Sequence, residues 1–175
     1  HFARGYGSAR MRDSLTAARE VNELDRIARD LESQGNKYWA NEVRVQRLTV
    51  LAWARLAAGA PKSAQEAMEA AATLEDSSEK HPVSPGRLVP ARELLGEMLL
   101  RAGQPGDALR ELEASALRDP NRFRNLYASA VAAQRLGDSA KAREYFEKLA
   151  QLAAKGDPRP ELEQAKTFLA AAPAQ

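Results

Sequence analysis

The sequence predicts an all-α solenoid of antiparallel helical hairpins, and three observations support this fold class. Residues 88–154 overlay on themselves after a shift of 34 positions, which places Gly103 on Gly137 and Ala108 on Ala142. Apolar residues recur three and four positions apart, the period of an α-helix with one buried face. The 10 glycines and 9 prolines cluster between these periodic segments. Hairpins that repeat in this way stack on their neighbours and share a continuous core.

The N-terminal segment, residues 1–35, is predicted to be an incomplete repeat. Gly5 takes the small position that Gly96 takes later in the chain. Ser14 is predicted to cap the second helix, which extends to about residue 34. The predicted buried face of this helix consists of apolar residues three or four positions apart: Leu15, Ala18, Val21, Leu24, Ile27 and Leu31.

A proline-rich insertion separates the second repeat from the third. The interval from Gly59 to Gly103 is 44 residues, ten more than one repeat, and three prolines exclude helix from most of the surplus. Helices are predicted near 37–58, 63–74, 90–102, 106–118, 122–136, 139–154 and 159–171. The predicted organisation is one domain over residues 1–175: an incomplete repeat (1–35), a divergent repeat (36–75), the inserted loop (76–88), two repeats (89–122 and 123–156) and a capping helix (157–172).

Composition and charge exclude several classes of function. The 26 basic and 24 acidic residues are spread evenly, so the net charge of +2 predicts no basic face for nucleic acid. Cysteine is absent, which excludes disulfides and thiolate chemistry. No apolar run is long enough to cross a membrane, and no signal peptide is recognised. The sequence begins at His1 inside a helical pattern, so we expect it to be part of a longer protein.

About two-thirds of the chain, residues 45–154, resembles tetratricopeptide repeats. The central copy carries the family's pattern as Leu95-Gly96-x-x-Leu99, then Gly103, Ala108-x-x-x-Leu112 and Pro120. This resemblance implies a right-handed α-solenoid that acts in protein interactions. The strings LEDSSEKHPVSPG, VPARELLGEMLL and RDPNRFR are also similar to segments of bacterial exported or periplasmic repeat proteins of unassigned role. That second resemblance implies an exported or periplasmic location.

The family resemblance further implies a concave groove lined by the first helix of each hairpin. The family's groove positions, carried over residue by residue, predict partner contacts at Tyr6, Arg10, Thr49, Trp53, Glu93, Glu97, Arg101, Arg124, Tyr127 and Arg135. Burial between helices is the alternative for Trp53. The lysine and asparagine set with which some family members clamp a C-terminal carboxylate is absent. We therefore predict a non-catalytic module that binds a protein or peptide segment, without a cofactor or metal.

An enzyme is the second class of function that the sequence leaves open. This hypothesis has two forms. In the first, the chain is the C-terminal repeat part of a larger catalytic protein; in the second, it carries a catalytic site near His81. Asp76 and Glu79 flank this histidine, but one imidazole and two carboxylates are too few ligands for a metal unless another element contributes.

Two glutamates at helical spacing have a plain structural interpretation. Glu93, Glu97 and Arg101 follow one another at steps of four, which favours a surface ion pair over a catalytic pair of carboxylates.

Nucleic-acid binding is a third class of function, and it would use the arginines Arg122, Arg124, Arg135 and Arg143. The even charge balance of the chain counts against it.

Overall fold

Helices are the regular secondary structure throughout the part of the chain that the structure, a computed structural model, describes: residues 1–78 and 87–171. These ranges contain nine helices: α1 (Phe2–Arg10), α2 (Ser14–Ser33), α3 (Lys37–Ala57), α4 (Pro61–Asp76), α5 (Ala91–Arg101), α6 (Pro105–Arg118), α7 (Phe123–Arg135), α8 (Ser139–Leu152) and α9 (Pro160–Ala171). The predicted all-α fold is confirmed, and the ends of α2 to α9 lie within two residues of their predicted positions. None of these helices is both long enough and apolar enough to cross a membrane.

The start of α2 corrects one predicted cap. Asp13, rather than Ser14, precedes the helix, and its carboxylate accepts a hydrogen bond from the backbone N–H of Thr16 at 3.0 Å. Hydrogen bonding by the side chain and then the backbone of Thr16 holds the pKa of Asp13 below its usual value. Asp138 caps α8 in the same way, accepting from the N–H of Lys141 at 2.9 Å. An aspartate in this position satisfies an N–H that the helix itself cannot.

The buried face of α2 also differs from the predicted one. Its buried residues are Ala17, Glu20, Val21, Leu24 and Ala28, whereas Leu15 is 74% exposed. The predicted stripe counted only apolar side chains and therefore missed Glu20, which is 4% exposed. Its burial is tolerated because Arg4 Nε donates to the carboxylate at 2.6 Å and His1 Nδ1 lies 2.6 Å from it.

Four hairpin turns in the described ranges share one backbone conformation. The residue two positions after each first helix has a positive φ: Arg12 (63°), Gly59 (80°), Gly103 (75°) and Gly137 (78°). In each turn the following N–H bonds to a carbonyl five residues earlier, as Asp138 does to Ala133 at 3.0 Å. Glycine adopts this conformation without penalty, whereas an arginine there costs about 1–2 kcal/mol. These turns follow α1, α3, α5 and α7, which are the first helices of four hairpins.

Two glycines lie where neighbouring helices approach closely. A Cβ atom at Gly5 would lie 2.8 Å from the Cβ of Glu20 and 2.9 Å from the Cγ1 of Val50. A Cβ atom at Gly96 would lie 2.5 Å from the Cγ of Leu112. Real Cβ atoms do not approach neighbours so closely, so a larger residue at either position would separate the helices. This is why the small position recurs in the two repeats.

The chain forms two compact units, His1–Leu94 (unit 1) and Leu95–Gln175 (unit 2), with the boundary inside α5. In unit 1, one core cluster consists of Val21, Leu24 and Val50, with Phe2, Tyr6, Val43 and Leu51 packed against it. In unit 2, one core cluster consists of Leu126, Ala130, Phe146, Leu149 and Ala165, with Phe123, Tyr127, Tyr145, Phe168 and Leu169 packed against it. The single repeat domain over residues 1–175 stays a prediction.

The junction between α4 and α5 is held by charged side chains. The Glu75 carboxylate, at the end of α4, accepts a hydrogen bond at 2.9 Å from the N–H of Ala91, the first residue of α5. The guanidinium of Arg87 lies 3.3 Å from the other oxygen of Glu75. Arg92 Nε donates to Asp76 at 2.8 Å. These contacts fix where α5 begins, and α4 extends into the predicted inserted loop as far as residue 76.

Candidate partner-binding surface

The predicted contact residues lie on the four first helices, and one repeat position carries arginine in three of them. The last residues of these helices are Arg10, Ala57, Arg101 and Arg135. Each lies two positions before the positive-φ residue of its turn. The three arginines are exposed, but the contacts of Arg10 in unit 1 and of Arg135 in unit 2 differ in kind.

In unit 1, Arg10 lies against two aromatic rings. Its Nη1 donates to the hydroxyl of Tyr6 at 2.9 Å. Its guanidinium carbon is 5.5 Å from the centre of the Tyr6 ring and 5.2 Å from that of Trp53. Both distances are within the range of cation–π attraction. The guanidinium is therefore held in place on the surface of the protein.

The two rings belong to a short aromatic stack across α1 and α3. Tyr6 meets the ring of Trp53 edge-on, with 5.5 Å between ring centres and 89° between planes. Phe2 stacks on Tyr6 at 6.0 Å and 14°. Trp53 is 2% exposed, whereas Phe2 and Tyr6 are partly exposed. We call the surface formed by Phe2, Tyr6, Arg10, Gln46 and the underlying Trp53 the aromatic face.

A cavity of about 30 Å³ lies at the Phe2 end of this face. Its apolar wall includes Phe2, Val45, Leu88 and Val89, and its polar wall includes Glu42, Gln46, Thr49, Glu75 and Arg87. Arg87 lies 3.5 Å from Glu42 and 3.3 Å from Glu75, so the two carboxylates share one guanidinium. The volume suits a single water molecule or one methyl group.

In unit 2, three predicted contact residues of α7 bond to neighbouring helices. Arg124 Nε on α7 donates to Glu97 on α5 at 2.9 Å, and Arg135 Nη1 donates to the carbonyl of Leu100 at 2.7 Å. The hydroxyl of Tyr127 donates to Gln164 on α9 at 2.7 Å. We call the surface that these three bonds cross the polar face.

Burial and the nearby charge of Glu161 raise the pKa of Tyr127, and the positive charge of Arg135 opposes them. Tyr127 therefore stays protonated and able to donate to Gln164 at ordinary pH.

Three predicted contact residues are corrected to core positions. Thr49 and Trp53 are each 2% exposed, and Glu93 is 0% exposed. The Thr49 hydroxyl donates to the carbonyl of Val45 on its own helix at 2.9 Å. Trp53 lies beneath Arg10 and Tyr6. The alternative that the sequence left open for it, burial between helices, is therefore the one observed. None of the three offers accessible surface to a partner.

The remaining predicted residues keep some exposed surface. Tyr6, Glu97, Arg124 and Tyr127 are partly exposed, and Arg10, Arg101 and Arg135 are exposed. The sequence predicted a surface ion pair within α5, between Glu97 and Arg101. The structure adds a partner on another helix, because Glu97 also bonds to Arg124, 27 residues further along the chain. Residues 79–86, and with them His81 and Glu79, lie outside the described residues.

Sequence reasoning missed several residues that shape these surfaces. Gln164 is one of them, because nothing in its sequence spacing indicates the bond to Tyr127. The contacts of Glu75 with Arg87 and Ala91 span the inserted loop. No periodic pattern covers this stretch, so the sequence carries no signal for them.

Comparisons with known proteins support the fold. No protein-family model matches the chain, and no curated protein matches it. A crystal structure of PcrH from Pseudomonas aeruginosa is similar, with a TM-score of 0.55 and 23% identity, over 73% of this chain and 89% of PcrH. A crystal structure of PcrH in complex with the chaperone binding region of PopB has a TM-score of 0.56 and 24% identity, over 71% of this chain and 94% of that one. The helical repeats of PcrH are TPR-like, which confirms a TPR-like helical-repeat fold here.

Proposed function

We propose that this chain is a non-catalytic binding module that takes a peptide or protein segment on a first-helix surface, and that the aromatic face is the contact surface. The observation that carries the proposal is the arrangement of Phe2, Tyr6 and Arg10. Two partly exposed rings and a held guanidinium lie at successive steps of four on one helix. Tyrosine and arginine are the residue types that most often dominate binding energy at protein interfaces.

The similarity to PcrH supports the same class of function. One of the two similar structures holds PcrH together with the chaperone binding region of PopB, so a helical-repeat protein of similar fold binds a segment of another protein. An exposed first-helix surface with aromatic anchors is suited to recognise such a segment. The lean toward an exported or periplasmic compartment stays a prediction from the sequence.

The polar face of unit 2 is the second candidate surface for the same function. This face presents two exposed arginines, Arg101 and Arg135, and arginine is a frequent anchor at protein interfaces. The bonds from Arg124, Arg135 and Tyr127 to neighbouring helices favour a role in holding the helices together. A partner on this face would have to compete with bonds that the protein already makes.

Selection of peptides from a phage-displayed library of random 12-residue peptides tests the proposal. The affinities of selected peptides are then measured by calorimetry for the wild-type chain and for three variants. Tyr6→Ala removes a ring from the aromatic face, and Tyr127→Ala removes a ring from the polar face. Arg29→Ala changes an exposed residue of α2 that belongs to neither face. Circular dichroism checks that each variant is folded.

We expect Tyr6→Ala to weaken binding at least about tenfold, the usual effect of truncating an aromatic anchor. Tyr127→Ala and Arg29→Ala are expected to leave the affinity within about twofold, as for residues outside a contact surface. Failure to select any peptide, or equal affinity for all four chains, would contradict the proposed function. A loss confined to Tyr127→Ala would move the site to the polar face.

A further inference from the structure

Arg12 adopts a backbone conformation that its own side chain disfavours. It lies in the turn between α1 and α2 with a φ of 63°, whereas the equivalent turns contain glycine: Gly59, Gly103 and Gly137. The other non-glycine residue with a positive φ in the described ranges is Asn121, and asparagine tolerates this conformation better than arginine does. Residues held in such conformations cluster at functional sites and ligand contacts.

No polar or ring contact inside the described part of the chain holds the side chain of Arg12. The residue is exposed, and across residues 1–78 and 87–171 its guanidinium has no hydrogen bond, ion pair or cation–π partner. Its backbone N–H donates to the carbonyl of Ala9 at 3.2 Å, a bond that a glycine would make equally well. The turn therefore needs the backbone at this position but not the arginine side chain, which is free to contact a partner.

Two large apolar side chains lie on the surface beside Arg12. Met11, which follows α1, is 83% exposed, and Leu15, in the first turn of α2, is 74% exposed. Single exposed apolar residues are common on protein surfaces, but these two lie on either side of Arg12 in the same turn. Methionine adapts its shape to what it contacts and is enriched at binding surfaces. We call the surface formed by Met11, Arg12 and Leu15 the turn surface.

The hairpin turn around Arg12 is richer in arginine than in carboxylates. Residues 8–19 contain three arginines and one carboxylate, Asp13. Asp13 caps the start of α2, and the charge of Arg19 acts on it. The next carboxylate along α2, Glu20, is buried and bonded to α1. Neither carboxylate is bonded to Arg12, so the turn surface is complementary to an acidic group from outside.

We propose that the turn surface is a second interaction surface, and that it binds an acidic segment of a partner protein. An aspartate or glutamate of this segment pairs with Arg12, whose guanidinium presents donors in a fork that matches a carboxylate. An apolar residue next to the acidic one packs on Met11 and Leu15. This inference goes beyond the proposed function and does not rest on the aromatic face.

An anionic membrane also presents negative groups beside apolar chains. Stable attachment to a membrane needs a larger buried apolar area or a cluster of basic residues. The turn surface supplies two apolar side chains and one arginine, which is enough for a contact with a protein segment but little for a membrane. We therefore expect the chain not to bind anionic vesicles.

Subtractive selection from the random 12-residue peptide library tests this inference. The library is first depleted on the Arg12→Gly chain, and the remaining peptides are selected on the wild-type chain. A parallel control is depleted on Arg29→Ala, which changes an exposed arginine of α2 that pairs with Asp25 on its own helix. Calorimetry measures the affinities of selected peptides for these chains, for Leu15→Ala and for Tyr6→Ala. Urea denaturation measures the stability of each chain, and vesicles of phosphatidylserine and phosphatidylcholine are titrated as a separate probe.

Depletion on Arg12→Gly should leave peptides with an aspartate or glutamate next to an apolar residue, whereas depletion on Arg29→Ala should remove them. These peptides should bind Arg12→Gly at least about tenfold more weakly, the effect of losing a charged hydrogen bond. Arg12→Gly should nevertheless be more stable than the wild-type chain, whereas a purely structural role would lower stability and affinity together. Leu15→Ala should also weaken binding, and Tyr6→Ala should leave the affinity within about twofold, as for a residue outside the contact.

Four results would decide against part of this account. No enriched peptide after depletion on Arg12→Gly, or enriched peptides without an acidic residue, would overturn the inference and leave the proposed function intact. Acidic peptides that also lose affinity for Tyr6→Ala would belong to the aromatic face, so the turn would not be a second surface. Vesicle binding that Arg12→Gly abolishes, without acidic peptides, would replace the protein partner with a membrane. If peptides depend on Arg12 and none depends on Tyr6, the proposed function fails and this inference stands.

Discussion

The aromatic face of unit 1 and the polar face of unit 2 use the same repeat position in two ways. Arg10 and Arg135 each end a first helix, two residues before a turn of the same conformation. Arg10 lies on the rings of Tyr6 and Trp53, whereas Arg135 donates to the backbone carbonyl of Leu100. The first arrangement holds a cation at the surface, and the second uses a cation to join two helices.

The residues six positions before each turn explain the difference. In unit 1 these positions hold Tyr6 and Trp53, and in unit 2 they hold Glu97 and Val131. Rings attract a guanidinium to their faces. Arg135 has no such ring at these positions, and its side chain reaches a carbonyl at the end of a neighbouring helix, where the helix dipole is negative. A repeat position therefore predicts where an arginine lies, and its neighbours decide what the arginine contacts.

The largest predicted effect concerns Trp53, which the structure places beneath the aromatic face. Trp53→Ala would leave a cavity under Tyr6 and Arg10, and we expect a loss of about 3–5 kcal/mol in the free energy of unfolding. Trp39→Ala, at a side chain 47% exposed, is the control and should cost less than about 1 kcal/mol. Urea denaturation followed by circular dichroism measures both. Similar losses for the two variants would show that Trp53 is not a core residue.

The second prediction compares two glycines on the same helix. Gly5→Ala places a Cβ 2.8 Å from Glu20 and 2.9 Å from Val50, so we expect a loss of about 1–3 kcal/mol from overpacking. Gly7→Ala meets nothing within 4 Å, and it should stabilise the helix by up to about 1 kcal/mol. Thermal and urea unfolding of the two variants measure the difference. The opposite order of stability would contradict the close approach of α1 to α2 and α3.

The third prediction compares the turns that precede α2 and α8. Arg12 has a φ of 63°, where the equivalent Gly137 has 78°. Arg12→Gly removes the strain of a side chain in this conformation, and we expect a gain of about 1 kcal/mol. Gly137→Arg should lose about 1–2 kcal/mol, because it introduces the same strain. If both substitutions shift the urea midpoint in the same direction, the turns are not equivalent.

The smallest predicted effect concerns the polar face. Tyr127→Phe removes the 2.7 Å hydrogen bond to Gln164 and should cost about 0.5 kcal/mol, the lower end for a partly exposed bond. The control is a double-mutant cycle with Gln164→Ala, in which the second substitution should add nothing. Additive losses would mean that the two side chains do not interact in solution.

Much of the fold could be predicted from the sequence, because its period is regular where helices pack on one another. The aligned glycines Gly103 and Gly137 correctly predicted equivalent turns, since few other residues adopt a positive φ. Arg12, in the equivalent turn, gives no such signal, because its conformation is imposed by the hairpin and not by its own preference.

The surfaces could be predicted only in part. Repeat positions predicted partner contacts at Tyr6, Arg10, Arg101, Arg124 and Arg135, which keep some exposed surface. That they contact a partner stays a prediction. The repeat positions did not distinguish them from the buried Thr49, Trp53 and Glu93. Burial at a first-helix position depends on how closely the neighbouring hairpin approaches. That distance is set by contacts such as those of Gly5 with Val50, which are remote in sequence.

The central claim is that a partner segment binds the aromatic face and not the polar face. Titration of a selected peptide into the ¹⁵N-labelled chain, followed by amide chemical-shift changes in NMR spectra, tests it without any substitution. The largest changes are expected at residues 2–10 of α1 and at residues 46–57 of α3, which contain the contacts of Tyr6 and Arg10. Largest changes at residues 123–135 and 160–168, with α1 unaffected, would contradict the claim.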